Sequence, residues 1–494
     1  MGDLLTLSAC QMAQKIRDRR VSAVELLECH LAHIERHNPV LNAVCTLDGD
    51  RARLQARQAD EAIAQGQIWG PLHGVPITIK DTFETAGLRT CCGHPPFKSY
   101  VPDQDATAVS RLRDAGAILM GKTNLPELAG DYQSANPVFS RTNNPWNLDC
   151  TPGGTSGGSA AAVAAGFSPL DLASDFAGSI RQPAHFCGIY GLKPTEHRVS
   201  TAGIIPELPG MPHCFRQMMT VGAVARSPAD LQLCLSLIAG SDARRPDIPP
   251  VPLDTPTQKS LSQLKIAWLD AWTDVPVAEV IRTSMGNARQ KLVDAGGMVA
   301  PWPANFDFAT FWQLYGPMGA YLNNYVEPRT GSAIRRGLTT LFRSATQGDH
   351  TLRPLGNFAQ FWSDIFTPSL KGYFEVLTAR DRLIAHVDEA LAAWDVLILP
   401  VAATVAFPHC PSWGAIAVDG TDYPYAVANG AYTMPFNLTG HPAVTMPIGF
   451  TPQGLPIGIQ LVGKRWRDLQ LLSIAQTLDP IIGNLQHPPQ LAHL

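Results

Sequence analysis

The chain has 494 residues, of which 45% are hydrophobic and 16% charged, and its formal net charge is −4. That is a globular composition with ample material for a core, and it excludes an extended basic surface for nucleic acid. The clusters Arg17-Asp18-Arg19-Arg20 and Arg335-Arg336 are too short to change this and read as solvated faces. Ten cysteines, at positions 10, 29, 45, 91, 92, 150, 187, 214, 234 and 410, include no C-x-x-C pair. That predicts free thiols in a reducing compartment. The first residues lack a secretion-signal pattern, and no apolar run approaches the roughly 18 residues of a membrane span. A cytoplasmic protein, off the membrane, is expected.

Residues 8–37 read as helices. Ser22, with Glu25 three residues later, predicts a capping box on the second, whose apolar stripe is Leu26, Leu27, Leu31 and Ile34. His30, His33 and His37 lie near one another there. They read as an exposed polar face, since no Cys or carboxylate completes a metal set. Residues 74–83 form a short β-branched strand that runs into Lys80-Asp81. A helix over 106–115 and a strand over 117–120 follow, an alternation that predicts an α/β sheet. Residues 141–158 are a loop rich in Asn, Pro, Gly, Ser and Thr. Ser159–Ala165 is an Ala-rich helix capped at Gly166, and a second small-residue loop spans 173–179. Residues 240–260 are an exposed, Pro-rich connection. Trp302, Phe306, Phe308, Phe311, Trp312, Tyr315, Tyr321 and Tyr325 crowd the segment 302–325. Core packing is their default reading and a pocket wall the sharper alternative. Residues 395–399 read as an apolar strand, and 443–463 as a strand pair turning at Gln453-Gly454.

Three stretches carry chemistry. Lys80 ends an apolar strand, where loss of water disfavours the ammonium and makes the amine a base. Its alternative is a lysine that snorkels to solvent. Thr151-Pro152-Gly153-Gly154-Thr155-Ser156-Gly157-Gly158-Ser159 leads directly into a helix and permits close backbone approach to a ligand. In Ser174-Asp175-Phe176-Ala177-Gly178-Ser179-Ile180-Arg181, small residues before a serine allow a tight turn whose N–H groups face an anionic oxygen. A flexible linker and an ordinary strand-to-helix turn are the bland readings of the two loops.

The joint order of these stretches resembles the amidase signature family. The resemblance covers G-V-P-I-T-I-K-D, D-A-T-A-V-S-R-L-R-D-A-G-A-I-L-M-G-K-T-N, N-P-W-N, P-G-G-T-S-G-G-S-A-A-A-V-A-A-G, G-S-I-R-Q-P-A-H-F-C-G-I-Y-G-L-K-P-T and P-F-N-L-T-G-H-P-A-V-T-M-P-I-G. It implies one α/β/α sandwich over 1–494 with a mixed, mostly parallel central sheet. Within it fall a helical region at 1–70, the signature core at 71–240, a substrate-pocket region at 245–385 that varies in the family, and a return to the sheet at 390–480. It also implies a catalytic Ser–cis-Ser–Lys triad: Lys80 as base, Thr155 at the relay position after a cis Gly154–Thr155 peptide, and Ser179 as nucleophile. Phe176, Ala177, Gly178 and Ser179 would supply the oxyanion hole. Ala129, Gly130, Asp131 and Tyr132 would lie near the scissile carbonyl, with Ser156, Asp175 and Arg181 in support. No cofactor or metal is implied. The partner is a small-molecule amide, and a homodimer is left open.

Two departures stand out. Thr155 replaces the usual serine, keeping the hydroxyl but adding a methyl group and a stiffer χ1. Ser156, next door, is an alternative relay. Ala177 replaces the first of two usual glycines, as nylon-oligomer hydrolases of the family also do. Asp131 reads either as an anchor for a substrate amine or as a hydrogen-bonded loop residue. The aromatic segment favours a stand-alone amidase with an apolar acyl or aryl pocket, and three rivals to it remain. One is the glutamine-hydrolysing component of a tRNA-dependent amidotransferase. Another is an α/β-hydrolase esterase using Ser156 within G-x-S-x-G, with His409 or His441 as its histidine. The third is a non-catalytic binder.

Overall fold

The computed structural model describes residues 2–488 apart from 206, 208–212, 214, 304–305 and 324–368. Cys214, Tyr325 and Arg335-Arg336 therefore lie outside the described residues. Strands in chain order are β1 (Val44–Leu47), β2 (Pro76–Lys80), β3 (Ile118–Thr123), β4 (Ala135–Asn136), β5 (Ser140–Arg141), β6 (Leu170–Asp175), β7 (Tyr190–Lys193) and β8 (Thr220–Ala225). They continue with β9 (Lys265–Trp268), β10 (Met298–Pro301), β11 (Val396–Pro400), β12 (Ile416–Val418), β13 (Thr421–Tyr423), β14 (Ala443–Phe450) and β15 (Pro456–Val462). Eleven of these make one sheet in the order β1-β3-β2-β6-β8-β7-β14-β15-β11-β9-β10. β4–β5 and β12–β13 are separate two-stranded pairs.

The sheet is mixed, as expected, but it is not mostly parallel. Only β3–β2, β2–β6, β11–β9 and β9–β10 pair in parallel. The other six neighbours are antiparallel. One antiparallel pair comes from a hairpin at the centre, where β14 turns directly into β15 around residues 451–455 instead of crossing over through a helix. Strands β9 and β10 bring part of the 245–385 stretch onto one edge of this sheet.

The inner strands β2, β3, β6, β7, β8, β11 and β15 are buried along their whole length, as strands covered on both faces are. β6 takes in residues 173–175, the start of the stretch expected as a loop, although it carries Asp171 and Asp175. The helix Gly157–Ala164 is also buried on every side, as its all-small sequence permits. A Cβ on Gly158 would strike the Asn124 backbone, so only glycine lets this helix lie so close.

The N-terminal helices are Ala9–Arg17 and Ala23–Leu41. Ser22 caps the second by accepting from the Glu25 N–H (2.9 Å), but the full capping box forms on the first helix, between Ser8 and Gln11. The histidine face is not exposed. His30 and His37 are buried, and His30 and His33 bond the carbonyls of Gly166 and Ala165, so these rings dock the helix onto the loop after Gly157–Ala164. No helix among the described residues is long and apolar enough to cross a membrane.

Candidate active site

β2 and β6 are parallel neighbours, with Thr78 opposite Asp171 and Ile79 opposite Leu172. Their carboxyl ends therefore deliver Lys80 and the turn after Asp175 to the same end of the sheet, where open α/β sheets bind ligands. Lys80 is fully buried. Its Nζ donates to Thr155 Oγ1 at 2.5 Å, Ser156 Oγ at 2.9 Å and Ser174 Oγ at 3.2 Å. Burial pulls its pKa down from 10.5 to about 7, against the opposing pull of Cys92, Asp175 and Asp171. Burial thus favours the neutral amine, which lies among three hydroxyls.

The 151–159 loop is fixed from several sides. The Gly154–Thr155 peptide is cis. Gly154 N–H donates to Gln182 Oε1 (2.9 Å), and Gln182 in turn donates to Asn429 Oδ1 (2.8 Å). Ser134 Oγ donates to the Gly153 carbonyl and accepts from the Gly157 N–H. The N–H of Ser156 donates to the carbonyl of Ser179 at 3.1 Å, which ties this loop to the other. Thr155 and Ser179 each retain 6% exposure, whereas Ser156 has none. Ser156 stands at the start of the helix Gly157–Ala164 with no strand before it, so the nucleophile elbow of the esterase reading is not formed. His441 bonds Thr439 and Asp388, and neither it nor His409 bonds Ser156 among the described residues.

Asp175 organises the 176–181 turn. Its carboxylate accepts from the N–H groups of Gly178 (2.8 Å) and Ile180 (3.1 Å) and from the Arg181 guanidinium through Nε and a terminal nitrogen, both at 3.0 Å. Burial alone would raise its pKa, but Arg181 and the Asn437 amide hold it well below the usual carboxylate range. Arg181 also donates to the Thr433 carbonyl and to Gln460. Of the four N–H groups assigned to an oxyanion hole, that of Gly178 is therefore engaged inward. Those of Phe176, Ala177 and Ser179 take no acceptor among the described residues. Three hydroxyls pin the carbonyls of this turn: Tyr132 and Thr433 donate to Ala177 O, each at 2.9 Å, and Tyr315 donates to Phe176 O at 3.2 Å. In a trans peptide the C=O and the next N–H point oppositely. Holding the Phe176 carbonyl on Tyr315 therefore turns the Ala177 N–H the other way.

Residues 129–132 lie against both loops. Tyr132 reaches the turn, and a Cβ on Gly154 would meet the backbone of Asp131 and Tyr132. Ala129 takes a left-handed conformation (φ 55°) and Gly130 is exposed. Asp131 accepts from Tyr425 Oη at 2.6 Å, from Ser412 Oγ, and from the Gln133 N–H at 3.3 Å. In the aromatic segment, Trp302, Phe306, Phe308 and Phe311 are buried in the core, and Tyr315 reaches the turn. Sequence reasoning does not single out Ser174, Gln182, Thr433 or Asn437. Asn437 and Gln182 fall inside the matched motifs, and a polar side chain within an apolar motif was the available signal.

A family model described as Amidase matches residues 25–472. A glutamyl-tRNA(Gln) amidotransferase subunit from Picosynechococcus sp. is 33% identical, over 97% of this chain and 98% of that one. A solved 6-aminohexanoate cyclic dimer hydrolase superposes with a TM-score of 0.79 at 27% identity, covering 99% of each chain. A structure from a vestigial protein complex linked to the origins of an s-triazine catabolic enzyme gives 0.78 at 28%, covering 97% of this chain and all of the other. With the match spanning nearly its whole length, the chain belongs to the amidase signature family, whose members are hydrolases of carbon–nitrogen bonds.

Proposed function

We propose that the chain hydrolyses a carboxamide through an acyl-enzyme on Ser179, with Thr155 as proton relay and Lys80 as base. The observation that carries this is a fully buried lysine, its pKa lowered to about 7, with its Nζ 2.5 Å from Thr155 Oγ1. Neutral Lys80 takes the Thr155 proton as Thr155 takes that of Ser179, and Ser179 Oγ attacks the carbonyl. The oxyanion is met by the N–H groups of Phe176, Ala177 and Ser179, while Gly178 and Asp175 hold the turn. The proton returns to the leaving nitrogen, and water then releases the acyl group by the same route. Shared exposure of Thr155 and Ser179, with Ser156 sealed behind them, supports Thr155 over Ser156 as the relay.

On the substrate, the full-length similarity to glutamyl-tRNA(Gln) amidotransferase subunits supports glutamine's side-chain carboxamide as the amide, with the chain working beside partner proteins. That support is stronger than the support for a stand-alone amidase, because the aromatic segment that favoured the latter packs largely into the core. The likeness to 6-aminohexanoate cyclic dimer hydrolase keeps the stand-alone amidase as the second reading. Release of ammonia or amine from L-glutamine and from a panel of aliphatic, aryl and cyclic amides separates the two. Preferential turnover of glutamine, lost in Ser179→Ala, supports the amidotransferase reading. Turnover of other amides without glutamine supports the stand-alone enzyme.

A further inference from the structure

Asp131 is a carboxylate without a cation. Among the described residues no Lys, Arg or His forms an ion pair with it. Its oxygens are aimed by hydroxyls instead: Tyr425 Oη at 2.6 Å on one, Ser412 Oγ on the other, with the Gln133 N–H adding to the first. Hydroxyl donors orient a carboxylate without neutralising it, so a negative charge is left in a place that burial makes costly. In agreement, burial raises the pKa of this group while the Ser412 and Tyr425 bonds pull it down.

The surroundings are aromatic. The Tyr425 ring stands edge-on to Tyr132 at 6.0 Å and to Trp413 at 5.1 Å. Tyr132 is the residue whose hydroxyl holds the Ala177 carbonyl of the catalytic turn. The backbone of Asp131 and Tyr132 lies against Gly154, beside the relay residue. A largely buried carboxylate bonded by the hydroxyl of Tyr425, whose ring packs against Tyr132 and Trp413, and one residue from a side chain that touches the turn, is the environment an organic ammonium selects.

We propose that Asp131, with Tyr425 and Ser412, forms an ammonium subsite, so that the preferred amides carry a primary amine on the acyl side of the scissile bond. This rests on the amide-hydrolase reading of Ser179 and narrows its substrate class. Glutamine and ω-aminoacyl amides both belong to that class, so the subsite does not presuppose either substrate reading. The amine donates to the carboxylate while the amide carbonyl reaches Ser179. No bond to the amine is made or broken.

The test reads binding in a protein that lacks the nucleophile. Calorimetric titration of the full-length Ser179→Ala protein compares 6-aminohexanamide with heptanamide, its neutral isostere. The amine should bind about tenfold more tightly, the scale of one hydrogen bond to a charged group. In Ser179→Ala/Asp131→Asn that preference should fall to within about twofold, and Asp131→Glu in the same background should restore part of it. Equal binding of the two ligands, or a preference that survives Asp131→Asn, overturns the subsite. The Asp131→Glu arm keeps the test informative should the asparagine protein fold poorly: a retained charge that gives no amine preference also counts against it. Since no turnover is measured, failure of the hydrolase reading would leave these outcomes intact, and it would show instead as unchanged amide turnover in Ser179→Ala alone.

Discussion

Lys80 Nζ lies 2.5 Å from Thr155 Oγ1, inside a ring of hydroxyls completed by Ser156 and Ser174. Threonine in place of the family's usual serine thus keeps the oxygen where the lysine needs it. Thr155→Ser should retain activity within a few-fold. Thr155→Val keeps the shape and removes the hydroxyl, and kcat should fall by roughly 10²–10⁴, the range for a lost proton-transfer group. Ser156→Ala should cost less than Thr155→Val. Steady-state kinetics on one amide decides the order, and the reverse order would assign the relay to Ser156.

On the proposed mechanism the lysine sets the pH dependence, because Lys80 acts only when neutral and its pKa is lowered to about 7, chiefly by burial. Activity should therefore rise with pH up to about 7 and then level, with kcat/KM falling tenfold per unit on the acid side. The carboxylate of Asp171 is fully buried, and its charge favours the lysine's ammonium form. Asp171→Asn should accordingly move the acid limb to lower pH. A limb that moves upward would count against Lys80 as the titrating base.

Much of this site is legible in the sequence, for physical reasons. A lysine ending a β-branched run has nowhere to go but inward once both sheet faces are covered. Glycines at 153, 154, 157 and 158 mark a loop that other backbone crowds, and the structure shows such crowding at Gly154 and Gly158. What sequence conceals depends on contacts distant in the chain. The Asn437 amide reaches Asp175 across 262 positions, and Thr433 reaches Ala177 across 256. The same holds for strand direction, since parallel and antiparallel neighbours share one apolar pattern when both faces are buried. The histidines on Ala23–Leu41 look like a solvated face because polarity alone does not reveal that His30 and His33 meet backbone carbonyls from the 165–166 loop.

The Asp175–Arg181 pair has no side-chain exposure on either partner. Removing one member leaves the other charge buried. Asp175→Asn should destabilise the protein by about 3–5 kcal/mol in urea unfolding. Arg181→Lys should also be costly, because a lysine cannot reproduce the guanidinium fork that spans Asp175, Thr433 and Gln460. A loss below about 1 kcal/mol in both would contradict the bracing role.

Neighbouring small residues in the turn should behave differently. Gly178 has φ 111°, and an added Cβ would meet the Thr433 hydroxyl. Gly178→Ala should abolish turnover. Ala177→Gly, at a position outside the positive-φ region, should keep it within about tenfold. Kinetics of the two variants, with a thermal melt of each, checks this asymmetry.

On the proposed mechanism Ser179 is the nucleophile and Lys80 its base. Peptide mapping after reaction with a fluorophosphonate tests this. One adduct should form, on Ser179, absent in Ser179→Ala and strongly slowed in Lys80→Ala, with Ser156→Ala still labelled. An adduct on Ser156, or no adduct on the folded wild-type protein, would contradict it.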